Sequence, residues 1–415
     1  MKVVVYTLGC KVSQYESDLI IEQLINKGYV VSKELEKADI YILNTCAVTN
    51  EAERKSRGVI AKINKLNPNA RIIVCGCASE NNAEQFLNKQ NVSLVLGTSK
   101  KNQITSVLDK VGNLKSEISK EYEEFGVIYS SRARAYLKIQ EGCNNFCSYC
   151  LIPYIRGRSR SRNLDNIVEE AKVLSKSCKE IVITGINMSD YRIDNKLALG
   201  QVMLALKDIN ANIRISSLEV NIITREFLDI LKSMPNFCPQ FHLSMQSGCD
   251  RILKLMNRHY LVKDYLDKVE LIREYFENAS ITTDVIVGFP TETEQDFLET
   301  METCKKANFF QMHIFPYSKR KGTKAELMEQ VDGNVVKERI SRLNALNKQM
   351  HNEYLLKNIG LKSKVIVEQK EDEFLTGHSL NYIKTYILED VPLYEQVEVE
   401  FTEIYKDGLK AKIIK

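Results

Sequence analysis

The chain has 415 residues, too many for one compact core, so two or three domains of ordinary size are expected. Hydrophobic residues at 44% beside charged residues at 27% have the balance of a soluble globular protein, and a net charge of +4 is too small to indicate nucleic-acid binding by itself. Apolar runs such as Ile181-Val182-Ile183 stop far short of the ~20 residues of a membrane span, and MKVVVYTLGC is too short for a lipoprotein signal, so it reads as the first strand of a cytoplasmic protein.

In chain order, VVVY (3–6) precedes an amphipathic helix over about 16–27, then DIYILNTC (39–46), a polar helix near 51–66, RIIVCGC (71–77) and VSLVLG (92–97). Strands alternating with helices at this spacing predict a parallel-sheet α/β domain over 1–125, with a linker in the aperiodic stretch 100–130. A second series begins at RAYLKIQEGC (134–143) and continues through EIVITG (180–185), IRISSLE (213–219), QFHLSMQSG (240–248), ITTDVIVGF (281–289) and FFQMHIFPY (309–317). Six such strands separated by helices predict a partial (β/α)6 barrel over 130–357, closed by a long polar helix near 331–357. The tail, 358–415, alternates apolar and polar residues between turns at Gly377, Pro392 and Asp407-Gly408, which predicts a small antiparallel β-barrel. The overall class is α/β.

Eleven cysteines, an odd number in a long chain without a secretion signal, argue against a disulfide framework and for metal or catalysis. Cys143, Cys147 and Cys150 form C-x-x-x-C-x-x-C in EGCNNFCSYC, directly after a predicted strand. A loop of this kind can aim three thiolates at three irons of a [4Fe-4S] cluster and leave the fourth iron open to S-adenosylmethionine (SAM). Structural zinc prefers C-x2-C or C-x4-C pairs with a second pair nearby, and His242 and His259 stand apart from the loop. The loop resembles that of radical SAM enzymes. That resemblance implies SAM contacts from Tyr149, from Thr184, Gly185 and Asn187 at a strand end lacking the usual Glu, from Gln246, and from Asp284 in DVIVGFP.

Cys10, Cys46 and either Cys77 or Cys75 lie at the ends of predicted parallel strands, where such ends share one rim. They could meet there around a second cluster or be ordinary buried cysteines. TLGCKVSQYES (7–17), NTCAVTNEAERKSR (44–57) and CGCASE (75–80) resemble the three motifs of the methylthiotransferase N-terminal domain, with Ser13 in place of a usual Asn. With the radical SAM loop and a tail similar to the TRAM barrel, the resemblance covers essentially the whole chain. It implies an auxiliary [4Fe-4S] cluster on Cys10, Cys46 and Cys77. It further implies that one SAM methylates a cluster sulfur, while a second yields a radical that strips hydrogen from the substrate.

The resemblance also implies partners: a tRNA substrate and a flavodoxin- or ferredoxin-like electron donor, with the enzyme acting as a monomer away from membranes. Lys11, Tyr15-Glu16-Ser17, Ser159 and FPYSKRKGT (315–323) resemble the branch acting on N6-threonylcarbamoyladenosine at tRNA position 37. The alternatives are N6-isopentenyladenosine, a ribosomal-protein aspartate, another radical SAM reaction, or a non-catalytic iron–sulfur RNA-binding protein. Arg156, Arg158, Arg160 and Arg162 follow the cysteine loop and are the candidate phosphate contacts, with Lys319-Arg320-Lys321 and Lys324 as a second basic knot. From 361 to 415, 8 lysines face 11 Asp and Glu, so that tail grips RNA through a local face (Lys384, Lys410, Lys412, Lys415 and Tyr382) or instead covers the barrel.

Overall fold

A computed structural model describes residues 1–124 and 133–414. The strands Val30–Ser32, Lys2–Thr7, Ile40–Thr45, Arg71–Gly76, Val92–Val95 and Gly112–Asn113 lie side by side in that order, each pair parallel. The central strand Ile40–Thr45 is buried at every position because helices cover both faces. Ile20 and Leu24 of helix Lys11–Asn26 pack on Val3, Val5, Ile40, Ile42 and Cys75. Val59, Ile60 and Ile63 of helix Asn50–Leu66 pack on the alternate residues Val4, Tyr41, Leu43 and Val74. That second helix starts where it does because the Thr49 hydroxyl accepts from Ala52 N (3.1 Å), with Glu51 and Glu53 in the first turn. The edge strands Val30–Ser32 and Gly112–Asn113 are additions to the predicted set. The expected linker therefore contributes to the sheet, and its residues 125–130 fall outside the described residues.

Six parallel strands follow: Arg134–Glu141, Glu180–Gly185, Asn212–Ile215 running on as Ser217–Leu218, Gln240–Leu243, Ser280–Val287 and Gln311–Pro316. Among the described residues no ladder joins the first to the last, so the curled sheet stays open on one side. The N-terminal body touches both edges of the opening. Helix Lys11–Asn26 packs on Arg134–Glu141, with Tyr15 and Leu19 against Tyr136. Beyond the other edge, Asn50 N donates to Ser318 Oγ (3.1 Å), Asn50 Nδ2 to Lys319 O (2.8 Å), and Arg320 pairs with Glu53.

After the long helix Gly333–Asn358 the chain closes a five-stranded barrel in the order Lys362–Glu371, Phe374–Ser379, Lys384–Ile387, Gly408–Ile413, Gln396–Tyr405. Every pairing is antiparallel except Lys384–Ile387 with Gly408–Ile413, which is parallel. This small barrel caps the N-terminal ends of the central strands. Arg134 pairs with Glu368 (2.8 Å), and the Arg134 and Arg214 guanidinium groups lie over the Tyr382 ring at 5.3 and 4.7 Å.

Candidate active site between two cysteine triads

Strand Arg134–Glu141 ends at Gly142, whose φ is +73° and whose added Cβ would lie 2.0 Å from Arg158 O, so the turn requires glycine. Cys143, Cys147 and Cys150 follow, each half-buried. Their sulfurs accept N–H groups: Asn145 N (3.5 Å) and Asn187 Nδ2 (3.8 Å) on Cys143, Arg258 Nη1 (3.6 Å) on Cys147, Ile152 N (3.4 Å) on Cys150. Burial, reinforced by the neighbouring thiol of Cys147, raises Cys143 and pushes Cys150 to about 12, so metal must displace protons to bind here. Among the described residues no three potential ligands are placed to hold a single ion. A four-iron cluster takes one sulfur per iron and spreads its ligands wider, and N–H groups aimed at sulfur suit it.

The second triad lies at the ends of three adjacent strands. Cys10 precedes helix Lys11–Asn26, Cys46 follows Ile40–Thr45, and Cys77 follows Arg71–Gly76. Gly76 (φ +104°) allows the last turn, since a Cβ there would lie 2.5 Å from Thr45 O. Burial raises the Cys46 thiol to about 11, and the nearby thiols of Cys77 and Cys10 add to the rise. Arg156 Nε donates to Cys77 Sγ at 3.0 Å. Cys75 packs instead in the core beneath helix Lys11–Asn26, away from the rim.

Segments adjoining both triads share a cavity of about 210 Å³. Tyr149, Gln246 and Asp284 line it together with Val48 and Thr49, which follow Cys46, and with Phe315 and Tyr317. Three residues predicted to meet SAM are thus neighbours. Asp284 Oδ2 accepts from His242 Nε2 (3.1 Å), and His242 Nδ1 meets Thr282 Oγ1 (2.9 Å). Burial pushes the Asp284 carboxyl up, but the His242 bond and the charges of His242, His313 and Lys11 outweigh it and hold the group ionised.

The other predicted contacts lie apart from this cavity. Thr184 is 2% exposed with its hydroxyl paired to Ser216 (3.3 Å), and Gly185 ends the same strand. Asn187 lines a second, polar cavity of about 350 Å³ with Asn145, Glu219 and Arg258. Sequence reasoning missed the last two. Glu219 accepts from Asn145 Nδ2 and Arg258 Nη1, both at 3.1 Å, and so braces the cysteine loop. Glu219 closes the predicted segment IRISSLE, whereas Arg258 carries no local signal.

Comparison with known proteins fits this geometry. Residues 137–304 match the Radical SAM superfamily, and residues 2–97 match an uncharacterized protein family, UPF0004. A threonylcarbamoyladenosine tRNA methylthiotransferase of Aquifex aeolicus is 39% identical, over 92% of this chain and 96% of that protein. The chain belongs to the radical SAM tRNA methylthiotransferases. Its Bacillus subtilis relative of the same name is 37% identical over 91% of this chain and 88% of that protein. A tRNA-2-methylthio-N(6)-dimethylallyladenosine synthase of Desulfotalea psychrophila is 34% identical over 89% of each. The fold resembles that of the radical SAM methyltransferase TsrM of Kitasatospora setae (TM-score 0.57, 12% identity, 90% of this chain and 80% of that one). SAM and two [4Fe-4S] clusters are the cofactors of this methylthiotransferase. Among the described residues no helix is long and apolar enough to cross a membrane.

The arginine run of the methylthiotransferase is corrected by half. Arg156 (1% exposed) and Arg162 (3%) are buried in ion pairs, Arg156 with Glu16 and Glu141, Arg162 with Glu170 and Glu124, and neither can reach a phosphate. Arg160 is half-buried, with Nη1 bonded to Arg156 O and Arg158 O. Arg158 stays exposed, its guanidinium 4.3 Å over the Phe146 ring inside the cysteine loop. Arg320 of the second basic knot is also buried, holding the N-terminal body, while Lys319, Lys321 and Lys324 are exposed. In the tail, Lys384, Lys410 and Lys412 each pair with an acidic neighbour, and Tyr382 faces the central barrel. Lys415 lies outside the described residues. The small barrel packs on the central one through Arg134, Arg214 and Tyr382.

Proposed function

We propose that this enzyme adds a methylthio group to C2 of N6-threonylcarbamoyladenosine at position 37 of tRNA. In this reading Cys143, Cys147 and Cys150 hold the cluster that cleaves SAM, and Cys10, Cys46 and Cys77 hold the auxiliary cluster. One observation carries it: Tyr149, beside Cys150, and Val48, two residues after Cys46, are walls of the same cavity. When bound, the clusters and SAM supply a carbon-centred radical and the methylthio sulfur.

The chain's own residues bind, orient and shield. Asp284, fixed as an anion by His242, offers acceptors on one wall, and Gln246 is held beside it by Gln246 N to Asp284 O (2.8 Å). Phe315, Pro316 and Tyr317 add an apolar wall to the cavity. Lys11, next to Cys10 and exposed, offers a cation to the threonyl carboxylate, a group the isopentenyl substrate lacks. The threonylcarbamoyladenosine names of the Aquifex and Bacillus relatives support the same choice. A flavodoxin- or ferredoxin-like donor would supply the electrons.

Two measurements test the reading. Anaerobic reconstitution should give about eight irons per chain, falling to about four when either cysteine triad is changed to alanine. Nucleoside mass spectrometry of tRNA from cells lacking the protein should show loss of the methylthio-threonylcarbamoyl nucleoside. Loss of the isopentenyl analogue instead would overturn the substrate.

A further inference from the structure

Arg156 stands one helical turn, Ile152–Ile155, beyond the Cys150 loop, yet its side chain ends in the N-terminal body. It is 1% exposed, and its guanidinium spends its donors on three partners. Nε reaches Cys77 Sγ at 3.0 Å, Nη1 reaches Glu16 Oε1 at 2.8 Å and both Glu141 oxygens at 3.1 Å, and Nη2 reaches Glu16 Oε2 at 3.3 Å. Glu16 also pairs with buried Lys101 and with Lys138 (3.4 Å), and Lys138 pairs with Glu141. Among the described residues, these contacts join three cations, Lys101, Lys138 and Arg156, to the carboxylates of Glu16 and Glu141. A buried charge without a counter-charge is costly. A thiolate at Cys77, which iron ligation fixes, gives the Arg156 guanidinium a further anion at 3.0 Å.

We propose that Arg156 is a positioning residue for the auxiliary cluster. It hydrogen-bonds the Cys77 thiolate and ties that sulfur, through Glu16 and Glu141, to the segment carrying the radical SAM loop. One side chain thereby links the two cysteine-bearing segments, and cluster assembly and domain docking stabilise each other. Lysine would keep the charge but lose the planar fork that reaches sulfur and both carboxylates at once. The inference rests on Cys77 being an auxiliary-cluster ligand.

The full chain with Cys143, Cys147 and Cys150 changed to alanine isolates the auxiliary cluster for measurement. In that chain, Arg156→Gln should lower the cluster's midpoint potential, because the reduced cluster loses a neighbouring cation. Iron loss to a chelator should quicken on the order of 10- to 100-fold, as for other outer partners of metal ligands. Arg156→Lys should restore part of the potential but not the iron retention. An unchanged potential and unchanged iron loss in both variants would overturn the proposal. If Arg156→Gln does not fold, hydrogen exchange on the unaltered protein decides. Removing iron should speed exchange of the Lys11–Asn26 amides, and identical exchange with and without iron overturns the proposal. A further Cys77→Ala change that leaves about four irons in place would instead remove the ligand assignment.

Discussion

Arg214 and Glu180 form a two-pronged buried ion pair between adjacent strands, with Nε to Oε1 at 2.9 Å and Nη2 to Oε2 at 2.8 Å. The remaining Arg214 donors reach Leu380 O (3.0 Å) and Ser379 O (3.2 Å) in the C-terminal barrel, so one side chain fastens two bodies. Burial pushes the Glu180 carboxyl up, but Arg214 and Arg134 overcome it and hold the group at about 2. The folded state thus favours the ionised form more than the unfolded state does. That stabilisation is fully present above the unfolded value and disappears as pH falls through the folded one. Denaturant unfolding should lose on the order of 3 kcal/mol between pH about 5 and about 2, and Glu180→Gln should remove that part of the slope. An identical pH profile in the variant would refute the assignment.

Asp284→Asn removes the anion that His242 holds on the cavity wall while keeping the side-chain size. SAM should bind about tenfold more weakly to the reconstituted enzyme, equivalent to ~1.4 kcal/mol, in equilibrium titration. His242→Gln should reproduce part of that loss, because the carboxylate then loses its orienting partner. Unaltered SAM affinity in Asp284→Asn would take this residue out of the cofactor site.

Cys75→Ala and Cys77→Ala should differ in kind. The first trims a core side chain beneath Lys11–Asn26, and should keep both clusters at a stability cost of ~1 kcal/mol. The second should lose about four irons. Iron analysis and thermal denaturation of the two variants check this, and iron loss from Cys75→Ala would reverse the assignment.

Arg158 and Arg162 should separate RNA binding from stability. Arg158→Ala should weaken tRNA binding and reduce the slope of log affinity against log salt by about one, with melting unchanged. Arg162→Ala strands Glu170, which is fully buried, and should cost about 3–5 kcal/mol of stability. Normal melting of Arg162→Ala, or normal tRNA affinity of Arg158→Ala, would contradict the split.

Much of this architecture is legible in the residues. Both cysteine triads are marked by spacing or by strand ends, and the six central strands by apolar runs of the right length. The short edge strands Val30–Ser32 and Gly112–Asn113 are not, because two or three residues carry no period. The fate of the arginine run was hidden for another reason. Alternating arginines look alike locally, and what buries Arg156 is Glu16, 140 residues earlier in the chain. Charge counts likewise said nothing of whether Lys384 or Lys412 would be free, since their acidic partners come from other strands. Tyr382 was legible as an aromatic of the tail, but not as the surface on which Arg134 and Arg214 rest.

The helix Lys11–Asn26 belongs to the N-terminal body, yet it stands against one edge of the open central sheet while Asn50 and Glu53 hold the residues beyond the other edge. On the ribosome the N-terminal body emerges first and can fold as a unit. Its partner surfaces arrive in two instalments, Arg134–Glu141 early and Ser318–Arg320 only after the whole curled sheet has been made. Completion of the reaction chamber is therefore among the longest-range closures in the chain, and such closures are slow to form. Until Arg320 emerges, the body that carries Cys10, Cys46 and Cys77 lacks the contacts that Asn50 and Glu53 make beyond the far edge.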